Sequence, residues 1–464
     1  MRGQNLHEWR SAAIDARADV VQLGDSNQLY AGYGWDAGFI RAFRSRVGIY
    51  STGLLWCGEN NGQGQGMGDG FSTINGATGV QFSGAPPEAD VFGRFYNSSS
   101  GSNYIYLASG SITGIRQWGV AVSSTGLDTR ASLRWLLSDV TFPDAGSFRP
   151  IVRIGQSPYT VLHNWGPVST QSTGGYSVRT SSFTLSADAN RVAPLEFRYA
   201  PFGGGLDVVA PFMGLWSRVE QVDAPGVAVH TLYAVGGRSA RFMAATLNGA
   251  SNEMLTAYFA DVRRTTPEGR RILVRMNQGL NDRNETEPSV GTGILPGNSP
   301  AAFADNIEFS MDRIREIWTI NGWPQDELVF VVSIAFAVST PQQQILIDYR
   351  NAAIGLRAEH PDLTVVDLSR RISNAQMESQ FLYATSIDRN HLANSGYNVL
   401  SGIEVDALLT CPSDIDTDGD VDSDDVIAFF GDWDAGETAG DIDFDRDNDV
   451  DDIATFFSEW DGGC

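Results

Sequence analysis

Val20-Val21-Gln22-Leu23-Gly24-Asp25-Ser26-Asn27 is a short apolar run that breaks at Gly-Asp-Ser. Such a run reads as a buried parallel strand delivering a serine to the carboxyl edge of a sheet. Open α/β sheets hold their chemistry at that edge. A serine hydroxyl is a weak nucleophile until a base takes its proton. Of the five histidines, only His391 lies in a suggestive setting, Ser386-Ile387-Asp388-Arg389-Asn390-His391-Leu392. There Asp388 precedes the imidazole by three residues, close enough to hold its far nitrogen and fix the tautomer a base needs. A third piece, Gly279-Leu280-Asn281-Asp282, follows the apolar strand candidate Ile272-Leu273-Val274-Arg275-Met276. An asparagine amide on a strand-end loop can donate to a developing oxyanion.

Each block alone is commonplace. Gly-Asp-Ser is mostly a turn, Asp-x-x-His mostly a hydrogen-bonded surface histidine, and Gly-x-Asn-Asp mostly another turn. In this order, two behind strand candidates and the last before a C-terminal helix, they resemble the blocks of the SGNH (GDSL-type) hydrolases. The resemblance implies a three-layer αβα fold on a flavodoxin-like parallel sheet. It also implies an acetylesterase-like carboxylic ester hydrolase with no cofactor in catalysis. It makes Ser26 the nucleophile, His391 the base, Asp388 its orienting acid, and Asn281 an oxyanion donor beside the Ser26 N–H. The family's remaining oxyanion donor, a glycine N–H, matches Gly237 at the end of the strand candidate running from Val227. Ile49-Tyr50-Ser51-Thr52-Gly53 also reads as a strand ending in glycine, so a second position stays open. Asn27 stands where the family usually has leucine, a departure that leaves the triad intact and bears on the pocket floor.

The hydrolase-like pieces are split along the chain. Residues 1–70 hold the first strand and an amphipathic helix from about Trp35 to Val47. Residues 226–410 then alternate strand and helix. Strands are predicted at 328–332 and 363–366, and helices at 301–320, 341–359 and 395–409. Ser299-Pro300 and Thr340-Pro341 carry the cap-then-proline pattern that opens a helix. This alternation predicts a parallel sheet covered on both faces. Between the halves, residues 71–225 are rich in Gly, Ser, Thr and aromatics, with short alternating runs such as Ser102-Asn103-Tyr104-Ile105-Tyr106-Leu107. They predict an inserted all-β sandwich. It resembles the jelly-roll, carbohydrate-binding-type modules of some polysaccharide esterases, which would set it at the active-site rim. Gly58–Gly70 lacks the lysine and the following helix of a phosphate loop and reads as a linker.

Residues 411–464 contain a gapless repeat at an offset of 27. Asp414, Asp416, Asp418, Asp420, Asp422, Asp424 and Asp425 recur as Asp441, Asp443, Asp445, Asp447, Asp449, Asp451 and Asp452. Phe429-Phe430 and Trp433 recur as Phe456-Phe457 and Trp460. Carboxylates at loop positions 1, 3, 5 and 12 with glycine at 6 are what Ca²⁺ requires, and Asp414, Asp416, Asp418, Gly419 and Asp425 supply them. Val426, Phe429, Phe430 and Trp433 then make one apolar helix face. The segment resembles a type I dockerin, whose two calcium loops each precede a helix. The ligands implied are Asp414, Asp416, Asp418, Asp420 and Asp425, then Asp441, Asp443, Asp445, Asp447 and Asp452. In the second loop Arg446 takes the glycine position and Asn448 the apolar position 8, which predicts weaker binding. A register starting at Asp443 restores position 8 but puts Ala454 at position 12. The resemblance implies a cohesin-like or cell-surface partner.

The net charge of -24 belongs largely to this tail, where 19 acids face the single Arg446. It therefore says little about a substrate. Every other basic side chain is also arginine, with no basic stripe of the kind that binds nucleic acid. Cys411 and Cys464 bracket the tail, which suits a disulfide in an oxidising compartment; three free thiols, with Cys57, are the alternative. No apolar run reaches the roughly 18 to 20 residues that span a bilayer. Met1-Arg2-Gly3 opens no apolar signal segment, so a secreted or cell-surface protein is expected to have lost its signal or to start internally here. These features predict a secreted esterase removing O-acyl groups, foremost acetyl, from a polysaccharide or glycoconjugate. A lipase, lysophospholipase or arylesterase of the same fold, and a non-catalytic surface binding module, are the alternatives.

Overall fold

The computed structural model describes residues 4–24, 35–51, 55–56, 71–74, 80–83, 104–107, 113–117, 128–137, 147–154, 160–164, 168–169, 177–185, 195–202, 210–212, 214–234, 239–250, 252–264, 271–284, 294, 297–334, 340–360, 362–368, 372, 374–383, 391–410, 413, 415, 423–436, 440, 442 and 448–462. Its largest sheet has ten strands. In chain order they are β1 (Arg17–Gly24), β2 (Ile49–Ser51), β3 (Leu55–Trp56), β4 (Thr129–Leu137), β5 (Ser177–Leu185), β6 (Gly214–Gln221), β7 (Gly226–Ala234), β8 (Ile272–Gln278), β9 (Leu328–Ile334) and β10 (Leu363–Asp367). They lie in the order β5-β4-β6-β2-β7-β1-β8-β9-β10, with β3 paired to β6.

From β2 to β10 every pairing is parallel. Every residue of β8 and β9 is buried, because a parallel strand is covered on both faces and reads as an unbroken apolar run. Chain order departs in both directions from β1: β7 lies on one side and β8 on the other. That reversal is the topological switch point, and the crevice outside the carboxyl ends of β1 and β8 is where such sheets bind ligands.

The expected helices form with shifts of one to three residues at their ends. The helices are α1 (Gln4–Asp15), α2 (Trp35–Arg46), α3 (Ala240–Gly249), α4 (Asn252–Arg263), α5 (Pro300–Ile320), α6 (Thr340–Leu356), α7 (Asn374–Ser379) and α8 (Asn394–Leu409). Ser299 accepts from the Ala302 N–H and Pro300 follows it, as the cap-then-proline pattern predicts. α1, α2 and α8 cover one face; Trp9 meets Phe43 edge-on and Arg10 donates to the Leu408 carbonyl at 2.8 Å. α3 to α6 cover the other, with Phe259 against Trp318 and Phe303 stacked on Tyr349. The result is three layers, helix on sheet on helix.

The described elements of residues 71–221 are all strands. β4, β5 and β6 do not stand apart: β6 pairs antiparallel with β2 at Glu220 and Ser51, extending the parallel sheet at its edge. The remaining strands form an antiparallel six-stranded sheet and a three-stranded one. At the C-terminus, α9 (Ser423–Ala435) and α10 (Val450–Gly462) bring Phe429 and Phe456, equivalent across the repeat, face to face at 4.3 Å and 6°. Ile442 completes that small core, with Ile415, Val426, Trp433, Ile453 and Trp460 packed around it.

One polar cluster lies inside the main core. Arg275 of β8 makes a two-pronged pair with Glu404 of α8 at 2.5 and 2.7 Å and donates to Gln22 of β1 at 3.1 Å. Ser333 of β9 donates to the same carboxylate. Arg275 and Glu404 are fully buried, and the guanidinium lies over the Phe39 ring of α2. A buried pair adds little net stability over apolar residues, but losing one partner strands a charge at about 3–5 kcal/mol. Glu404→Ala should lower unfolding stability by about that much, whereas Arg275→Met with Glu404→Leu should recover most of it. Chemical denaturation of the three proteins checks this; equal losses in the single and double variants would contradict it.

Candidate active site

Of the residues expected at the site, the described ones are Asn281 and His391; Ser26, Gly237 and Asp388 lie outside the described residues. The strands leading to the serine and asparagine blocks are direct neighbours. Leu23 of β1 pairs with Met276 of β8, and Gly24 pairs with Ala234 of β7. β1, β7 and β8 thus bring the chain to the carboxyl edge side by side, two residues before Ser26, three before Gly237 and three before Asn281.

The Asn281 turn is built by its neighbours in sequence. Gly279 has φ +109°, a left-handed conformation that a β-carbon disfavours. Asp282, 4% exposed, accepts from the Gly279 N–H through one oxygen and from the Ala240 N–H through the other, both at 2.9 Å. One carboxylate therefore closes the asparagine turn and caps the first turn of α3, the helix that begins three residues after Gly237. Asp282 carries this role unannounced. Only its place beside Asn281 hinted at one, because its second partner lies 42 residues away. Burial, with the Asp282 charge nearby, pushes the Tyr349 phenol well above its usual range, and the phenol donates to the Asn298 carbonyl at 2.8 Å.

His391 is half-buried and held by backbone. Leu392 pairs antiparallel with Tyr383, and the Ala393 N–H donates to the Leu382 carbonyl at 2.7 Å. A β-carbon at Gly396, one turn into α8, would sit 2.2 Å from that same carbonyl, so only glycine lets the helix start this close. α8 is then fixed to β8 and β1 through Glu404, Arg275 and Gln22. The base block and the strands carrying the other blocks share one rigid frame.

A second histidine with an aspartate lies elsewhere. His230 Nε2 is 2.8 Å from Asp19 Oδ1, to which Tyr50 also donates at 2.5 Å. Burial lowers the His230 pKa; the Asp19 hydrogen bond opposes this and Arg218 reinforces it. Neither side chain has solvent access, and Asp19 is in the amino-terminal half of β1, so the pair is a core contact.

In the tail, Asp425 and Asp452 are the described members of the expected calcium ligands; the other eight, with Cys411 and Cys464, lie outside the described residues. Both are buried. Asp425 accepts from the Ile415 N–H at 2.6 Å, and Asp452 from the Asp449 N–H at 2.8 Å. Among the described residues no three metal-binding side chains converge. No helix among them is long and apolar enough to cross a membrane.

The Asp282 clamp yields a direct expectation. Asp282→Asn keeps the shape but replaces one acceptor with a donor, leaving a buried N–H unpaired at about 1–3 kcal/mol. Thermal unfolding should show that loss, and an unchanged midpoint would mean that the clamp is not formed.

No protein-family model and no curated protein matches the chain. Among solved structures it is similar to a peptidoglycan O-acetylesterase, at 13% identity and TM-score 0.48, over 87% of this chain and 95% of that one. It is similar to a member of the lipolytic protein G-D-S-L family from Veillonella parvula at 15% identity and TM-score 0.25, over 39% and 78% of the two chains. Est24, a carbohydrate acetylesterase from Sinorhizobium meliloti, gives 12% identity and TM-score 0.26 over the same shares.

Proposed function

We propose that the chain is a secreted serine esterase of the SGNH type that hydrolyses O-acetyl esters on a polysaccharide or glycoconjugate. Ser26 attacks the ester carbonyl while His391, oriented by Asp388, takes its proton. The Ser26 and Gly237 N–H groups and the Asn281 amide receive the oxyanion. His391 then gives that proton to the departing sugar oxygen, which leaves as a hydroxyl, and water, activated by the same imidazole, hydrolyses the acyl-enzyme. One observation carries the reading: the strands preceding the serine, glycine and asparagine blocks are hydrogen-bonded neighbours at the switch point. The Asp282 bridge between the Asn281 turn and α3 supports it.

Acetate release from a panel of acetylated polysaccharides tests the assignment. Wild type should release acetate and prefer p-nitrophenyl acetate to long-chain esters. Ser26→Ala should fall by about 10⁴-fold or more, and Asn281→Ala by about 10²–10³-fold in kcat. Equal release by wild type and Ser26→Ala would remove the esterase, and a preference for long acyl chains would point to a lipase.

The tail, in the same proposal, is a pair of calcium loops that attaches the enzyme to a cohesin-like or cell-surface partner, with Cys411 and Cys464 joined. Asp425 and Asp452 fit the ion's need for hard oxygen donors, being buried carboxylates tied to the backbone of or beside their own loops. They would hold it with Asp414, Asp416, Asp418 and Asp420, and with Asp441, Asp443, Asp445 and Asp447. Bound Ca²⁺ offsets the mutual repulsion of these carboxylates and stabilises the folded tail by mass action. Calorimetric titration of the full chain should find two sites, the weaker lost in Asp452→Asn and the stronger in Asp425→Asn. No heat, and no change in stability between Ca²⁺ and EGTA, would sink this reading.

A further inference from the structure

Helix α7 ends in a way that its sequence does not favour. The Leu382 N–H donates back to the Met377 carbonyl at 2.9 Å, and the Phe381 N–H to the Glu378 carbonyl at 3.1 Å. This is the Schellman arrangement, whose residue after the cap takes a left-handed backbone and is usually glycine. Here it is Phe381, with φ 55°. Among the described residues the other positive-φ residue that is not glycine is Asp223, a type that tolerates this region better. A left-handed phenylalanine is strained, and burial does not offset the strain: Phe381 is 82% exposed. Its base is nevertheless firm, since Met377, Leu382 and Tyr383 are buried around it.

The backbone of Phe381 adjoins the segment that follows His391. Leu382 accepts from Ala393 and Tyr383 makes an isolated bridge with Leu392, so the two residues following Phe381 are bonded to the residues directly after His391. Ser395 at the start of α8 donates to the Phe381 carbonyl at 3.4 Å. Among the described residues, the exposed ones from Gln376 to Gln380 are polar: Gln376, Glu378, Ser379 and Gln380. We propose that Phe381 is a stacking platform for a pyranose ring of the acylated glycan, beside the ester that His391 serves. The inference rests on the esterase reading and deepens it. The axial C–H bonds of a sugar fit the electron-rich face of an aromatic ring, and its hydroxyls fit a polar rim. A lone ring is too small for a protein interface, which needs about 1,000 Å². An acyl chain would need an apolar cleft, whereas the described residues around Phe381 offer one exposed ring and polar side chains.

Phe381→Gly separates this role from a structural one, because glycine suits the backbone better than phenylalanine does. The variant should unfold at the same temperature or higher. Its KM on a soluble acetylated polysaccharide should rise about three- to tenfold, the scale of an aromatic stacking contact, with kcat unchanged. Its kcat/KM on p-nitrophenyl acetate should stay at the wild-type value, and Phe381→Tyr should restore the polymer KM. Retardation of the full-length Ser26→Ala protein in gels containing the polysaccharide, with and without Phe381→Gly, reads the stacking without turnover. Unchanged polymer KM and unchanged retardation would overturn the platform while leaving the esterase standing. Loss of p-nitrophenyl acetate turnover in wild type would instead remove the esterase reading itself.

Discussion

Arg275 sits in the middle of a buried parallel strand, and Glu404 is what makes that position tenable. A guanidinium without water needs a carboxylate of matching geometry, and the two-pronged pair supplies it. The contact has consequences beyond its energy. Gln22 lies four residues before Ser26, Arg275 six before Asn281, and Glu404 follows His391 on α8. One hydrogen-bonded cluster thus ties together the elements that lead into or out of three separated blocks. Apolar packing would hold α8 against the sheet but would tolerate sliding; a two-pronged charge pair fixes its register. Phe39, stacked beneath the guanidinium, brings α2 into the same frame.

The loops at the carboxyl edge need their own fixing, and two local devices provide it. Asp282 joins the asparagine turn to α3 through two backbone donors. Around His391, Gly396 admits α8 so close to Leu382 that an isolated β-bridge, Tyr383 to Leu392, forms where one helix ends and another begins. The first is a side-chain carboxylate that holds two backbone N–H groups, the second a close approach of two backbone segments. The same short segment leaves Phe381 strained and exposed, against the local preferences of its residue type. The tail solves a smaller problem by symmetry: two equivalent helices stack Phe429 on Phe456 and share a core too small for either alone.

The layout of the sheet was legible because β1, β8, β9 and β10 are apolar runs of strand length separated by capped, amphipathic helices. Helix starts were legible to within a residue where Ser299-Pro300 and Thr340-Pro341 mark them. The antiparallel extension was not. Alternation within β4 and β6 announces strands, but Glu220 meets Ser51 across 169 residues, and nothing local names that partner. His230 offered a similar difficulty: its aspartate lies 211 residues away, whereas the aspartate nearest His391 lies three away.

The sequence by itself determined the alternation of strand and helix, the order of the Gly-Asp-Ser, Gly-x-Asn-Asp and Asp-x-x-His blocks, and the 27-residue repeat of the tail. These are set by periodicity, turn chemistry and residue type, which act over a few neighbours. Only the tertiary structure decided that β1 lies between β7 and β8, that Asp282 reaches α3, that Arg275 is neutralised by α8, and that a phenylalanine takes a glycine's place beside the base block. Each of those is a pairing between distant segments, selected by burial and by the need of every buried polar group for a partner.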